Sequence, residues 1–588
     1  MHLRKIGWLL LVAAIVLIAV LPVPEFWITQ LNYIGISSLA VLGLVLLTGI
    51  GGLTSFGQAA FVGIGAYTTA YLTVNAGLSP WLTLFAGMAL TAVCAVVLGW
   101  ITLRMSGHYL PLATLAWGLS LYYTMGNLEA LGKYDGILGV SGLSLFGWQL
   151  GQGRVFFLLT WALVLLAALC MLHLLDSRVG RAMRSLKTGS QMAESMGIDT
   201  LRFKISMFVI AALLASLSGW LYAHFQRSVN PSPFSVHIGI EYLFMAVLGG
   251  VGHVWGAITG ALVTKLLADQ LQVLLPALIG TSGSYEVIVF GVLLVLILKY
   301  APNGIWAFVD RKIPKPARKV DWQRAAELPH RTRPAAGEVV LQASNIRKEF
   351  GGLIAVNNIN FSVQAGQIVG LIGPNGAGKS TTFNLITGVL APTSGRVAFR
   401  GENITSLASR DIAKRGISRT FQHVKMIADM TVLENVALGA HLRGGRGAIA
   451  ATLRLDRKEE QSLFREAEIQ LRRVGMGEAL HGLAGNLAMG PQRLLEIARA
   501  LCNDPALLLL DEPAAGLRHK EKQALADVLR QLRSEGLSIL LVEHDMDLVM
   551  QVTDRIVVME FGTLLIEGTP AEIQASPLVR AAYLGTEH

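Results

Sequence analysis

The chain has 588 residues and a net charge of +10, yet only 15% of its residues are charged and 53% are hydrophobic. Soluble domains carry about 25% charged residues, so a large part of this chain sits in lipid rather than water. An excess of Lys and Arg is what the cytoplasmic loops of a membrane protein collect, so no nucleic-acid partner is expected; the widely separated Cys94, Cys170 and Cys502 indicate neither a disulfide framework nor a metal site.

Arg4 and Lys5 precede an apolar run that ends in LPVPEFW, which lacks a small-residue cleavage pattern, so a retained helix is expected rather than a cleaved leader. Further apolar runs follow. With the first, from Ile6 to Val23, they cover Ile34 to Ile50, Phe56 to Val74, Trp81 to Leu103, Tyr109 to Tyr123, Val155 to Leu175, Ile205 to Ala223, Ile238 to Leu248, Trp255 to Leu275 and Val287 to Tyr300. A bilayer core needs about 20 residues of helix. The fold class expected is therefore a polytopic all-α membrane domain of about 8–10 transmembrane helices, with the fifth and eighth runs short enough to be partial or re-entrant. Basic residues at Arg4 and Lys5, between Arg178 and Lys204, and from Arg311 to Lys319 should all face the cytoplasm, which an even helix number satisfies.

Glycine clusters GIGGLTSFG (Gly49 to Gly57), GIG (Gly63 to Gly65) and LGGVGHVWG (Leu248 to Gly256) interrupt these runs. Single glycines serve close helix packing; clusters in two different halves point to broken helices around a route through the membrane. Glu241 and Asp269 are ionisable groups at or near membrane depth, where the readings are an interfacial position or, as for any charge within a span, a functional one.

From Arg311 to Gly337 the chain is rich in Pro and positive charge, and reads as a linker near anionic headgroups. The organisation expected is thus a membrane domain over 1–310, a basic linker over 311–337 and a soluble α/β domain over 338–588. In the last, GPNGAGKST fits G-x-x-x-x-G-K-[ST], after an apolar strand and before a helix. Gly373, Pro374, Asn375, Gly376, Ala377 and Gly378 wrap phosphate with backbone N–H groups, Lys379 reaches the β/γ-phosphates, and Ser380, followed by Thr381, offers a hydroxyl to Mg²⁺. ALLLLDE then reads as a buried strand ending in two acids, Asp511 for the Mg²⁺ shell and Glu512 as the base for the attacking water. The cofactors expected are ATP and Mg²⁺.

Four further features make the soluble half resemble the ATP-binding-cassette (ABC) family. Phe350 resembles the family's adenine-stacking aromatic, Gln422 in SRTFQ its glutamine beside the metal, and His544 in LLVEHD its switch histidine. LAMGPQR, with Leu487, Ala488, Met489, Gly490, Pro491 and Gln492, resembles its signature motif. The resemblance implies an ATPase that works as a dimer, the signature of one subunit covering the nucleotide of the other. Ala488 and Pro491 stand where many members have Ser and Gln, and Arg518 where an Asp is usual; losing those donors points to slow turnover at the site this signature completes.

The ATPase half also resembles the ATPases of branched-chain amino-acid importers, and LTSFGQAAFVGIGAYTTAYL, KYDG and GRAMRSLKTGSQMAESMGIDTLRFK resemble their permeases. This implies import of small solutes, branched-chain amino acids first and urea, amides or aromatic acids as alternatives, with an extracytoplasmic binding protein. It implies a second permease and a second ATPase, or a second copy of this chain, in a bacterial inner membrane with the ATPase cytoplasmic. Gly180 to Lys204 is expected to form a helix that docks on the ATPase near Gln422. The competing readings are a homodimeric exporter and a regulatory ATP-binding membrane protein that does not pump.

Overall fold

The computed structural model describes residues 2–104, 109–145, 147–150, 153–279, 286–301, 303–310, 312–313, 320–322 and 325–584. Two compact units emerge: Met1–Leu175 with Leu201–Pro316, and Asp176–Thr200 with Ala317–His588.

In the first unit, helices stand at each of the apolar runs, from His2–Val20 to Glu286–Tyr300. Among the described residues, four are long and apolar enough to cross a membrane: Glu25–Ile50, Pro80–Thr102, Gly153–Leu175 and Thr200–Gln226. A fifth span arises if Val236–Gly249 and Val254–Leu274, bent by 116° at their junction, count as one. Helices such as Gln58–Val74, with 17 residues, stand at the short end of what crosses a bilayer core, and with a helix at every apolar run the polytopic all-α domain expected is present.

The glycine clusters sit where backbones touch. A Cβ on Gly49 would lie 1.4 Å from the Val251 carbonyl oxygen, and one on Gly249 would lie 1.8 Å from that of Gly256. Only glycine permits these approaches, and the bend after Gly249 is the broken helix that its cluster announced. Glu241 pairs with Lys265 at 2.8 Å, so that charge is balanced within the unit, whereas Asp269 Oδ2 is buried without a hydrogen-bond partner. Of the expected basic flank, Arg311 and residues 314–319 lie outside the described residues.

The second unit is built on a six-stranded sheet in the order Ile417–Arg419, Leu507–Asp511, Ser538–Val542, Ile368–Ile372, Arg555–Glu560, Thr563–Gly568, parallel except for the last. Strands such as IVGLI, LLLLD and SILLV are buried along their whole length, as parallel strands covered on both faces must be. A second, antiparallel sheet holds Leu353–Gln364, Val339–Phe350, Ser394–Phe399 and Glu402–Asn403. In such a sheet, ligands bind beyond the carboxyl ends of the parallel strands. The phosphate-loop, acidic, glutamine and histidine motifs all follow such ends.

The described part of the basic stretch is a strap on this unit rather than a tether facing lipid. Arg331 donates its backbone N–H to Asp504 at 2.5 Å and its guanidinium to the Lys414 carbonyl at 2.8 Å. Arg333 reaches the Pro505 carbonyl at 2.6 Å, while Arg465 holds the Ala325 carbonyl at 2.7 Å. Arginine-rich composition suggested lipid, but these side chains find carboxylates and carbonyls of the protein.

Candidate nucleotide site and docking helix

Gly373–Gly378 turns strand Ile368–Ile372 into helix Lys379–Ile386. Gly373, Gly376 and Gly378 have φ of 150°, 83° and 94°, where L side chains are strained, so the turn can present N–H groups at a helix N-terminus. Lys379 Nζ donates to the carbonyls of Gly373 at 2.7 Å and Pro374 at 2.9 Å, which holds the ammonium within the loop. Burial lowers its pKa, opposed by Glu512 and Asp511. Ser380 is exposed beside it and Thr381 half-buried.

The strand LLLLD delivers Asp511 to the same cleft. Its side chain is buried, Oδ1 has no hydrogen-bond partner, and Arg419 stands 4.0 Å from Oδ2. Burial first, then Glu512, pushes the Asp511 carboxyl up to about 6 against the pull of Arg419. An unpartnered buried carboxylate oxygen, on a side chain whose charge acts on Lys379, fits a hard cation that prefers oxygen ligands. Among the described residues no group of three or more His, Cys, Asp or Glu is placed to hold a metal.

Glu512 has φ of 47°, a left-handed conformation that costs a non-glycine residue about 1–2 kcal/mol. Its N–H is tied to the Val542 carbonyl at 2.8 Å, and Oε2 accepts from Gln422 Nε2 at 3.0 Å. His544 Nδ1 lies 3.9 Å from the same oxygen, with the ring more than half exposed. Gln422, Asp511, Glu512 and His544, spread over 123 positions, thus converge at one mouth with Lys379.

Phe350 ends a strand of the other sheet, 45% exposed, with Lys348 Nζ 5.0 Å from its ring centre. Leu487–Gln492 opens helix Met489–Leu501, where Ala488 occupies the N-cap without a side-chain hydrogen bond and Gln492 Nε2 donates to the Leu487 carbonyl at 2.7 Å. Among the described residues no hydrogen bond joins this segment to Gly373–Thr381. The signature residues are therefore not brought to this chain's own phosphate loop by such bonds.

Two supporting residues escaped the sequence reading. Glu543, fully buried, accepts N–H groups from Ala514 at 2.7 Å, His544 at 2.9 Å and Asp545 at 3.1 Å, joining the loop after the acidic pair to the histidine loop. Arg493 donates to the carbonyls of Phe421 at 2.9 Å and Gln422 at 2.7 Å, fixing the glutamine loop from the signature helix. An acid directly before the histidine, at the end of a buried strand, was the available signal for Glu543.

The segment Asp176–Thr200 forms helices Arg178–Thr188 and Ser190–Ser195 packed within the ATPase unit. Val179, Ala182, Met183 and Leu186 bury one stripe of the first, as an amphipathic docking helix requires. Arg181 makes a two-pronged bond to Glu460, at 2.7 and 3.2 Å, with its guanidinium 4.6 Å over the Phe464 ring. The Arg178 N–H donates to Glu460 at 2.6 Å, its guanidinium to the His441 carbonyl at 2.8 Å, and Arg410 pairs with Asp199 at 2.8 Å. Burial, then the charges of Arg178 and Arg181, lower the pKa of His441 well below its ordinary value. The expected docking helix is present, but none of its hydrogen bonds or ion pairs reaches Gln422 among the described residues; it seats on the helix Arg457–Arg473 instead.

A phosphate loop, an acidic pair and a histidine beside it at the carboxyl edge of a parallel sheet, preceded by a domain of apolar helices, are the parts of an ATP-binding membrane transport protein. Residues 26–298 match the family described as branched-chain amino acid transport system / permease component, residues 356–515 that described as ABC transporter, and residues 564–588 that described as branched-chain amino acid ATP-binding cassette transporter. The high-affinity branched-chain amino acid transport ATP-binding protein LivG of Escherichia coli (strain K12) is 43% identical over 249 residues, 42% of this chain and 98% of LivG. BraF of Pseudomonas aeruginosa, a protein of the same description, is 43% identical with the same coverage. A solved nucleotide-free ATP-binding cassette from an ABC transporter is 31% identical, covering 42% of this chain and 99% of that one, at a TM-score of 0.37. The chain belongs to the branched-chain amino acid family of ABC transporters, with permease and ATPase fused in one polypeptide, and it couples ATP hydrolysis to transport.

Proposed function

We propose that this chain is one permease–ATPase subunit of an importer that carries branched-chain amino acids across the bacterial inner membrane, its ATPase on the cytoplasmic side. Residues 1–310 serve as the permease, 311–337 as a basic connector and 338–588 as the ATPase. Its partners are a second permease and a second ATPase, or a second copy of itself, an extracytoplasmic substrate-binding protein and the surrounding lipid. The observation that carries the reading is the convergence of Gln422 and His544 on Glu512, in a chain whose first half matches a permease.

N–H groups of Gly373 to Thr381 hold the phosphates, and Lys379 exchanges the Gly373 and Pro374 carbonyls for phosphate oxygens. Phe350 stacks on the adenine. Glu512, steadied by the Gln422 amide, orients water and takes its proton, while His544 steadies the γ-phosphate end. Ser380, Gln422 and Asp511 would hold Mg²⁺, which would supply neutralisation of the phosphate charge. Leu487–Gln492 cover the partner's nucleotide. Because Arg493 ties the Gln422 loop to the signature helix, and Arg181 ties the permease segment to Glu460, movement at the nucleotide passes to the membrane helices through bonded contacts.

The test is uptake of labelled leucine into vesicles holding the chain with its companion subunits and binding protein. ATP-dependent uptake is expected. Uptake of urea or an aromatic acid instead would change the substrate, ATP-dependent efflux would reverse the direction, and ATP turnover without flux would overturn transport by this assembly.

A further inference from the structure

The nucleotide chemistry makes no use of the stretch from Gly444 to Asp456, although it carries Ile449, Leu453 and Leu455 at 78%, 61% and 65% exposure. The turn of helix Ala448–Thr452 puts Ile449 and Leu453 four residues apart, on one outward side, while Ala451 is buried beneath. Exposed Arg446 precedes them, and exposed Arg454 stands between Leu453 and Leu455. A cluster of exposed aliphatic side chains rimmed by positive charge marks an interaction surface rather than scattered solvent contact.

What the cluster faces follows from its anchorage. Gly445 donates its N–H to Glu459 at 2.9 Å, and Arg178 donates its guanidinium to the Arg446 carbonyl at 2.8 Å. Asp176 Oδ2 lies 3.1 Å from Arg457 and 4.0 Å from Arg454. Asp176 directly follows Leu175, the last residue of the apolar 23-residue helix Gly153–Leu175. The stretch is therefore tied to the residue that directly follows, in the chain, a helix long and apolar enough to span a bilayer, and the ends of such a helix belong at the headgroup level.

We propose that residues 445–455 dock on the bilayer surface on the ATPase side, with Ile449, Leu453 and Leu455 at the headgroup–acyl boundary and Arg446 and Arg454 on anionic phosphates. Apolar side chains rimmed by arginine are the chemistry of interfacial membrane segments. The surface goes beyond the transport reading and depends on no particular solute.

The test uses the full chain in its assembly, in nanodiscs of phosphatidylcholine with or without phosphatidylglycerol. Leu453→Cys, in a Cys94→Ala/Cys170→Ala background, carries a fluorophore and is compared with one at Phe561→Cys, whose native side chain is 86% exposed. Doxyl-labelled lipid is expected to quench the first label and not the second, and aqueous iodide the reverse. Iodide quenching of both labels alike would overturn the proposal by placing the segment in water; protection from both quenchers would overturn it by placing the segment against protein. Arg446→Gln with Arg454→Gln is expected to lower the preference for phosphatidylglycerol by about fivefold per charge removed. Unchanged preference would contradict the anionic contact, and ATP turnover in detergent, expected to be unchanged, checks folding and the ATPase independently.

Discussion

Asp511 and Glu460 are both acids buried in the ATPase unit, 7% and 2% exposed, yet their surroundings are opposite. Glu460 accepts two bonds from Arg181 and one from the Arg178 N–H, so both oxygens are used. Asp511 has an oxygen without a partner and a carboxyl pushed up to about 6. A buried charge with every bond made belongs to a joint, whereas one left short of partners belongs to a site that takes a ligand. The contrast separates the part of this unit that grips the permease segment from the part that works on ATP.

The largest effect is expected at the joint. Arg181→Met removes the guanidinium from buried Glu460 and should lower stability by about 3–5 kcal/mol, read as a fall in the denaturation midpoint. Arg181→Met with Glu460→Leu should recover most of it, since two apolar groups leave no charge stranded; a single variant within about 1 kcal/mol of wild type would break the contrast. At the nucleotide site, Lys379→Ala should reduce phosphate release by about 10²–10³-fold, the scale for losing one preorganised charge contact.

The pH dependence of Asp511 is next. Its folded pKa, about 6, lies above the ordinary 3.8, so the folded state binds the proton more tightly. Its destabilising contribution is full above about pH 6 and fades as pH falls toward 3.8, amounting to about 3 kcal/mol at most. Asp511→Asn should therefore melt higher than wild type near neutral pH, with the gap closing in acid; a gap independent of pH would show that the carboxyl is not perturbed. The smallest effect is expected at Ala488, the N-cap without a side-chain bond, where Ala488→Ser should add about 1 kcal/mol to thermal stability.

These features differ in how far the sequence discloses them. The phosphate loop is local: its glycines, Lys379 and Ser380 are consecutive, and strand and helix patterns on either side fix its geometry, so Gly373–Thr381 is legible by inspection. The glycine clusters are legible for the same reason, and Gly249 ends its helix as expected. Arg181 and Glu460 lie 279 positions apart, and nothing local in RVGRAMRSLKT distinguishes a buried arginine from one in a positive loop. Arg331 and Arg333 read as lipid-facing charge because their partners, Asp504 and the carbonyls of Lys414 and Pro505, are likewise remote. Each apolar run carries a helix, but the bend of 116° between Val236–Gly249 and Val254–Leu274 is not something hydropathy reports.

The account turns on Glu512, held in a left-handed turn with Gln422 on its carboxylate and His544 nearby. The most direct measurement is ATP hydrolysis by the purified assembly carrying Glu512→Gln, alongside its equilibrium binding of ATP. The account predicts binding close to wild type with turnover reduced by about 10²-fold or more; binding retained with turnover unchanged would contradict Glu512 as the base.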